Sequence, residues 1–113
     1  MTNCIFCKII AGEMPSKKLH EDEDVIAFYD INPQAKVHFL VVPKKHIKSA
    51  ADVGPQDVEL IGRCFEVIAK LAKEHEQIND FRVITNSGEG AGQTVYHIHF
   101  HVLAGERLKH SLV

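Results

Sequence analysis

Long apolar runs are missing from this chain. None exceeds a few residues, so no segment can cross a bilayer as a helix. The opening Met1-Thr2-Asn3-Cys4-Ile5-Phe6-Cys7-Lys8 has neither the basic region nor the long apolar stretch of a secretory leader, and a cytoplasmic protein is expected. An excess of positive charge is also missing. The net charge of -2 with neutral histidines excludes the broad basic surface that non-specific nucleic-acid binding needs. A mononucleotide needs only a few aimed donors and is not excluded. Cysteine is scarce, with three in 113 residues, and a reducing compartment argues against a disulfide framework. Repeats, low-complexity tracts and linkers are absent. What remains fits one domain over residues 1–113, with 45% hydrophobic and 25% charged residues, ordinary values for a globular protein without membrane contact.

The hydrophobic pattern predicts the elements. Cys4 to Ala11 reads as a short helix, with Ile5/Ile9 and Phe6/Ile10 as i,i+4 pairs and Gly12-Glu13-Met14-Pro15 as its stop. Lys18–Glu21, Val25–Tyr29 and Val37–Val42 read as strands, the last closed by Pro43. Asp30-Ile31-Asn32-Pro33 is a turn signal. Gly54-Pro55 opens the main helix, where Asp57 and Glu59 suit the positive dipole end. Val58, Ile61, Cys64/Phe65, Ile68 and Leu71/Ala72 form its apolar stripe. Phe81–Thr85 and Thr94–Leu103 read as strands on either side of a glycine-rich loop, Asn86–Gln93. Strands outnumber helices and mostly lack helical crossovers, which predicts an α+β fold with an antiparallel sheet rather than a doubly wound one.

Eight histidines are many for this length, and they cluster late in the chain. In His97-Ile98-His99-Phe100-His101 the period of a strand puts the three histidines on one face and Ile98, Phe100 and Val102 on the other. The apolar face is the expected packing surface, so the histidine face is expected to meet a cleft or solvent. Two readings compete: the imidazoles ligate a metal, or one is a nucleophile that its neighbours orient. Same-face neighbours on a strand sit about 7 Å apart, where two imidazolium ions repel by about 2–2.5 kcal/mol at an effective dielectric near 20. The triad is therefore expected not to be fully protonated near neutral pH, and a bound phosphate would relieve its charge.

The loop Asn86-Ser87-Gly88-Glu89-Gly90-Ala91-Gly92-Gln93-Thr94 leads into a strand, not a helix, so it is no dinucleotide fingerprint. It is either a flexible connection or a place where backbone N–H groups approach phosphate oxygens, with Asn86 and Thr94 as added donors. Asp30 is a turn acid or an acceptor for both ribose hydroxyls. Phe6 and Ile31 read as core residues by composition. Cys4-Ile5-Phe6-Cys7 puts two thiols on one helical face. With no second Cys-x-x-Cys, a zinc site there must be completed by histidine; otherwise the thiols are simply reduced. A redox role lacks its usual strand-helix context. His20, His75 and His110 read as surface residues, Cys64 as core, and Lys44 and Lys45 as solvated or steering charges.

These segments together resemble the histidine triad family. Tyr96–Leu103 matches its His-φ-His-φ-His-φ-φ motif, where φ is apolar. The likeness extends through Ile5–Ile10, Asp30–Ala35, His38–Ile47 and Gly92–Tyr96. It is closest to the Hint-like nucleoside phosphoramidases. The resemblance implies a sheet of about five antiparallel strands with two helices, usually paired into a homodimer with one continuous sheet. It implies a hydrolase for purine nucleotide conjugates that releases nucleoside monophosphate without an organic cofactor. It makes His99 the nucleophile toward the α-phosphorus, His101 a phosphate contact, His97 an orienting group and His38 a support. Thr94 stands where serine is common. Asn86 and Gly92 match phosphate contacts, Asp30 the ribose acceptor, and Phe6, Ile31 and Met14 the walls around the base. Some similar bacterial proteins hold zinc, which here implies Cys4, Cys7, His46 and His97 as ligands. The tail Ala104–Val113 departs from the usual pattern by lacking a second glycine. A nucleotide-binding interaction module with little turnover, and a metal-dependent hydrolase using the triad as ligands, are the competing functions.

Overall fold

The structure, a computed structural model, describes residues 3–109 and 111–113; His110 lies outside them. The elements run α1 (Ile5–Ile10), β1 (Lys18–Glu21), β2 (Val25–Tyr29), β3 (Val37–Pro43), α2 (Val58–Glu74), β4 (Phe81–Ile84) and β5 (Phe100–Ala104). The strands form one sheet in the order β1-β2-β3-β5-β4, and every neighbouring pair is antiparallel. This is the expected α+β arrangement with an antiparallel sheet; its one helical crossover is α2, which carries the chain from β3 past the later position of β5 to β4.

Side-chain alternation sorts the sheet into two cores. Val25, Ala27, Phe39, Val41, Phe100 and Val102 pack with Cys64, Val67, Ile68 and Leu71 of α2. Ile26, Phe28, Leu40 and Val42 pack on the other face with Phe6 and Ile9 of α1. The central strand β3 is covered on both faces, so all seven of its residues are buried. Helix α1 has only six residues, too few to persist alone. It is held by Phe6 and Ile9 and closed by Gly12, whose φ of +80° lets the chain reverse.

The final strand is shorter than its pattern suggests. Ladder pairing begins at Phe100, opposite Val41, and residues 94–99 lie outside it. The partner strand ends at Pro43, which has no N–H to donate. The backbone bonds instead to the following loop, where the Ile98 N–H donates to the Ile47 carbonyl at 2.6 Å. Asp57 does more than favour a helix dipole. It is buried and accepts from Lys45 at 2.5 Å and from the Gly54 N–H at 3.0 Å, tying the loop after β3 to the start of α2. Lys44 also is paired, with Glu21 at 3.0 Å. Neither lysine is the free charge expected from sequence. His20 is not a bland surface residue either: it bonds Asp22 at 2.7 Å, and Asp22 also takes Arg63 of α2 at 2.9 Å. Among the described residues, no helix is long and apolar enough to cross a membrane.

Candidate functional site

The histidine face is covered, not open. Alternation places His38 of β3 and the late histidines on the α1 side of the sheet, and α1 packs over them. His97 is 0% exposed and His99 is buried, while His101 keeps part of its surface. The Phe6 ring stands edge-on to His99 at 5.0 Å between centroids and to His97 at 6.1 Å. Alternation tells which residues share a face, but not which helix comes to lie on it.

Backbone carbonyls fix two of the rings. A carbonyl only accepts, so each ring nitrogen bonded to one carries a proton. The His97 Nε2–H donates to the Pro43 carbonyl at 2.8 Å, leaving Nδ1 with its lone pair. The His99 Nδ1–H donates to the His97 carbonyl at 2.7 Å, leaving Nε2 as the bare nitrogen. Thr85 Oγ1 donates to the His99 carbonyl at 2.8 Å and steadies the same segment. His101 lies beside His99 with ring centroids 5.0 Å apart. Its Nδ1 is 2.9 Å from His38 Nε2, and Asp30 Oδ2 is 3.5 Å from that same Nε2. Asp30 Oδ1 accepts from the Asn32 N–H at 2.8 Å, so the residue acts as a turn acid and still offers a carboxylate edge to the site.

Burial disfavours the charged form of these rings. It pushes His38, His97 and His99 below the ordinary histidine value and is the largest cause for each. His101 is held down to about 4, by burial first and then by the charges of His99 and His38. Mutual repulsion, the cause argued from strand spacing, thus acts on both His97 and His101 but is secondary to desolvation.

The other side of His97 faces two thiols. Its Nδ1 lies 3.4 Å from Cys4 Sγ and 3.5 Å from Cys7 Sγ, and His46 Nδ1 lies 3.4 Å from Cys7 Sγ. The four donor atoms all fall within 4.8 Å of one another. Tetrahedral zinc with arms of about 2.0–2.3 Å needs ligand atoms about 3.3–3.8 Å apart; the three separations above meet this, and two thiols with two imidazoles are a donor set suited to that ion. Burial, with the Cys4 sulfur beside it, pushes the Cys7 thiol up to about 11; a dication would reverse that by favouring thiolate. Among the described residues, His97, His99 and His101 do not converge as one ligand set. Asp30, His38 and His101 do approach one another, but His38 Nε2 and His101 Nδ1 are already engaged in a mutual hydrogen bond.

The glycine loop is organised by a residue that the pattern did not single out. Gln93 is buried; its Oε1 accepts from the Gly88 N–H at 2.8 Å, and its Nε2 donates to the Lys48 and Val95 carbonyls at 2.8 and 3.0 Å. A glutamine in a polar loop carries no periodic signal, so only its burial reveals it. Gly92 adopts φ +96°, and a Cβ there would meet Asn86 Nδ2 at 3.9 Å, so Asn86 and Gly92 are neighbours. Thr94 is exposed at the loop's end. It also lines a cleft of about 530 Å³ shared with Cys4, Ile5, His46, Lys48 and Tyr96; His99 does not line this cleft. Ile31, read as core by composition, is 100% exposed and free to meet a ligand. Its place in a turn overrides its hydrophobicity. Phe6 is buried, as composition suggests, yet also touches the nucleophile candidate. Met14 is exposed, His75 is exposed and Cys64 is core.

Residues 3–111 match the family described as scavenger mRNA decapping enzyme, C-terminal binding. Protein HitA of Neisseria gonorrhoeae is 40% identical over 103 residues, which are 91% of this chain and 96% of that protein. A histidine triad protein from Clostridium difficile superposes with a TM-score of 0.93 at 46% identity, covering 98% of this chain and 97% of its own. A HIT family hydrolase from Legionella pneumophila superposes at 0.90 with 43% identity, covering 95% and 96%.

Proposed function

The chain belongs to the histidine triad family and has the fold of its hydrolases, and from that premise we propose that it hydrolyses purine nucleoside phosphoramidates or related nucleotidyl conjugates at the α-phosphorus. The observation that carries this reading is the bare Nε2 of His99, set by the Nδ1–H bond to the His97 carbonyl.

In the first step the His99 Nε2 lone pair forms a bond to phosphorus. The bond from phosphorus to the leaving nitrogen breaks, and that nitrogen keeps the electron pair and takes up a proton. Throughout, the Nδ1–H stays on the His97 carbonyl, where it stabilises the positive charge on the phosphorylated ring. Water then attacks phosphorus, the P–Nε2 bond breaks, and the pair returns to His99 with release of a proton and nucleoside monophosphate. His101 contacts the phosphate. Gly92, Asn86 and Thr94 supply donors around it, and Asp30 accepts from the ribose. Phe6 and the exposed Ile31 flank the base, and neither contact selects strongly between adenine and guanine.

Cys4, Cys7, His46 and His97 would hold zinc as a structural ion. Such an ion would supply no reacting group; through these ligands it would tie α1 to the loop after β3 and so steady Phe6, which already stands over His99. A homodimer is part of the same reading. β4 is an edge strand with Phe81 exposed, and α2 presents the exposed Val58 and Phe65. That His97, His99 and His101 do not converge as one ligand set among the described residues disfavours a triad-bound catalytic metal, and a pure binding module has no need of the bare His99 nitrogen.

The test is turnover of an adenosine phosphoramidate by wild type and His99→Ala, with metal content measured on the same samples. The reading expects monophosphate release by wild type only, and activity that persists when metal occupancy falls short of stoichiometric. Turnover by the variant contradicts it.

A further inference from the structure

We propose that the backbone N–H of Gln34 is a positioning group for this site: through His38 it fixes which nitrogen of His101 carries the proton, and so makes His101 a hydrogen-bond donor toward the substrate. This deepens the function proposed above and rests on it for its catalytic consequence, though not for its geometry.

The chain of bonds begins at the one group whose role is beyond choice. A backbone amide can only donate. The Gln34 N–H points at His38 Nδ1 at 3.0 Å, so that nitrogen must present a lone pair. Neutral His38 therefore carries its proton on Nε2. That nitrogen has two acceptors in front of it, His101 Nδ1 at 2.9 Å and the more distant Asp30 Oδ2 at 3.5 Å, and both need the proton there. His101 Nδ1 then accepts, and the His101 proton must sit on Nε2. Among the described residues, that Nε2–H has no partner, and its ring lies 5.0 Å from the ring of His99. The result is an ordered pair: a bare Nε2 on His99 to attack phosphorus, and a protonated Nε2 on His101 to meet a phosphate oxygen or the leaving atom. Reversing the His101 proton would present a lone pair to an anion.

The turn between β2 and β3 is built to hold the amide in place. Asp30 N–H donates to the His38 carbonyl at 3.0 Å, Asp30 Oδ1 accepts from the Asn32 N–H at 2.8 Å, and Gln34 Nε2 donates to the Asn32 carbonyl at 3.1 Å. Pro33 fixes its own φ immediately before Gln34. Burial also disfavours a second proton on His38, which would collide with the Gln34 N–H.

The experiment is a long-range proton–nitrogen correlation spectrum of the imidazole rings in the full ¹⁵N-labelled chain at neutral pH, without nucleotide. Wild type is expected to show unprotonated Nδ1 and protonated Nε2 for both His38 and His101. Gln34→Pro deletes the amide; a population with protonated Nδ1 is expected in both rings, with kcat down about tenfold and KM changed less. Gln34→Ala loses the side-chain bond to Asn32 but keeps the amide, and is expected to restore the wild-type ring pattern and pH profile. A wild-type spectrum with protonated Nδ1 on either ring overturns the proposal, whether or not the proline variant folds. So does a folded Gln34→Pro variant with wild-type rings and turnover. Because the spectrum needs no substrate, expected tautomers in a chain without phosphoramidase activity would count against the function alone. Reversed tautomers in an active chain would count against this inference alone.

Discussion

The carbonyl of His97 holds the ring of His99: the Nδ1–H of the second histidine donates to the backbone oxygen of the first at 2.7 Å. The same His97 turns its own Nδ1 toward Cys4 and Cys7 at 3.4 and 3.5 Å. One residue therefore joins the thiol corner to the nucleophile candidate, by its side chain on one side and its backbone on the other. The consequences can be measured.

Metal removal should loosen the base wall before it touches the chemistry. Cys4→Ser/Cys7→Ser is expected to lose one zinc per chain by elemental analysis. α1 is too short to stay folded unaided, so Phe6 should drift from His99. KM for nucleotide should rise several-fold, with a smaller change in kcat. A fall confined to kcat would mean that the metal takes part in the reaction.

Acid should unfold the protein in two windows. His101 has its folded value depressed from the ordinary 6.5 to about 4, so the unfolded state binds the proton first as pH falls. Its contribution is complete above about pH 6.5 and is lost progressively down to about pH 4, on the order of 3 kcal/mol. Asp22 follows at lower pH. Burial pushes its carboxyl up, but hydrogen bonds from His20 and from the Asp24 and Val25 amides outweigh this and hold it at about 2, against an ordinary 3.8. Its stabilisation is present above 3.8 and fades toward about 2. Urea melts of wild type and His101→Gln between pH 7 and pH 2 should separate the windows, with the variant showing the flatter upper one and an unchanged lower one.

Gln93→Ala should unlock the glycine loop. The variant leaves the Gly88 N–H and the Lys48 and Val95 carbonyls without their partner, a cost of about 1–3 kcal/mol. Hydrogen exchange at Gly88 should accelerate while β3 amides stay protected. Wild-type exchange at Gly88 would show that the loop is held by something else.

Sedimentation should report a dimer, and Phe65→Glu together with Phe81→Glu should produce a folded monomer. Both rings are large and exposed, at 47% and 39%. A wild-type monomer at micromolar concentration would remove the homodimer from the account.

The fold was largely legible because strand and helix periods are local. Val37–Val42 announced a buried central strand, and Val58 to Ala72 a helix with one apolar stripe. The site was legible to the extent that it is linear: His97, His99 and His101 share a face by alternation alone. What alternation cannot supply is the element opposite that face. That α1 covers the triad, that desolvation outweighs repulsion there, and that Pro43 ends the ladder before His99 all depend on contacts distant in sequence. Ile31 misled for the reverse reason, since an apolar residue in a turn need not be core. Lys45 and Asp57 meet across a loop, and Gln93 folds its own loop from within; neither leaves a periodic trace.

The central claim is that His99 Nε2 becomes covalently bonded to phosphorus. Rapid acid-free quenching during turnover of an adenosine phosphoramidate, followed by mass spectrometry of the peptide containing His99, tests it most directly. The account predicts a nucleoside-monophosphate adduct on His99 that appears within one turnover and decays as product forms. Steady product release with no adduct on that histidine at any time would contradict it.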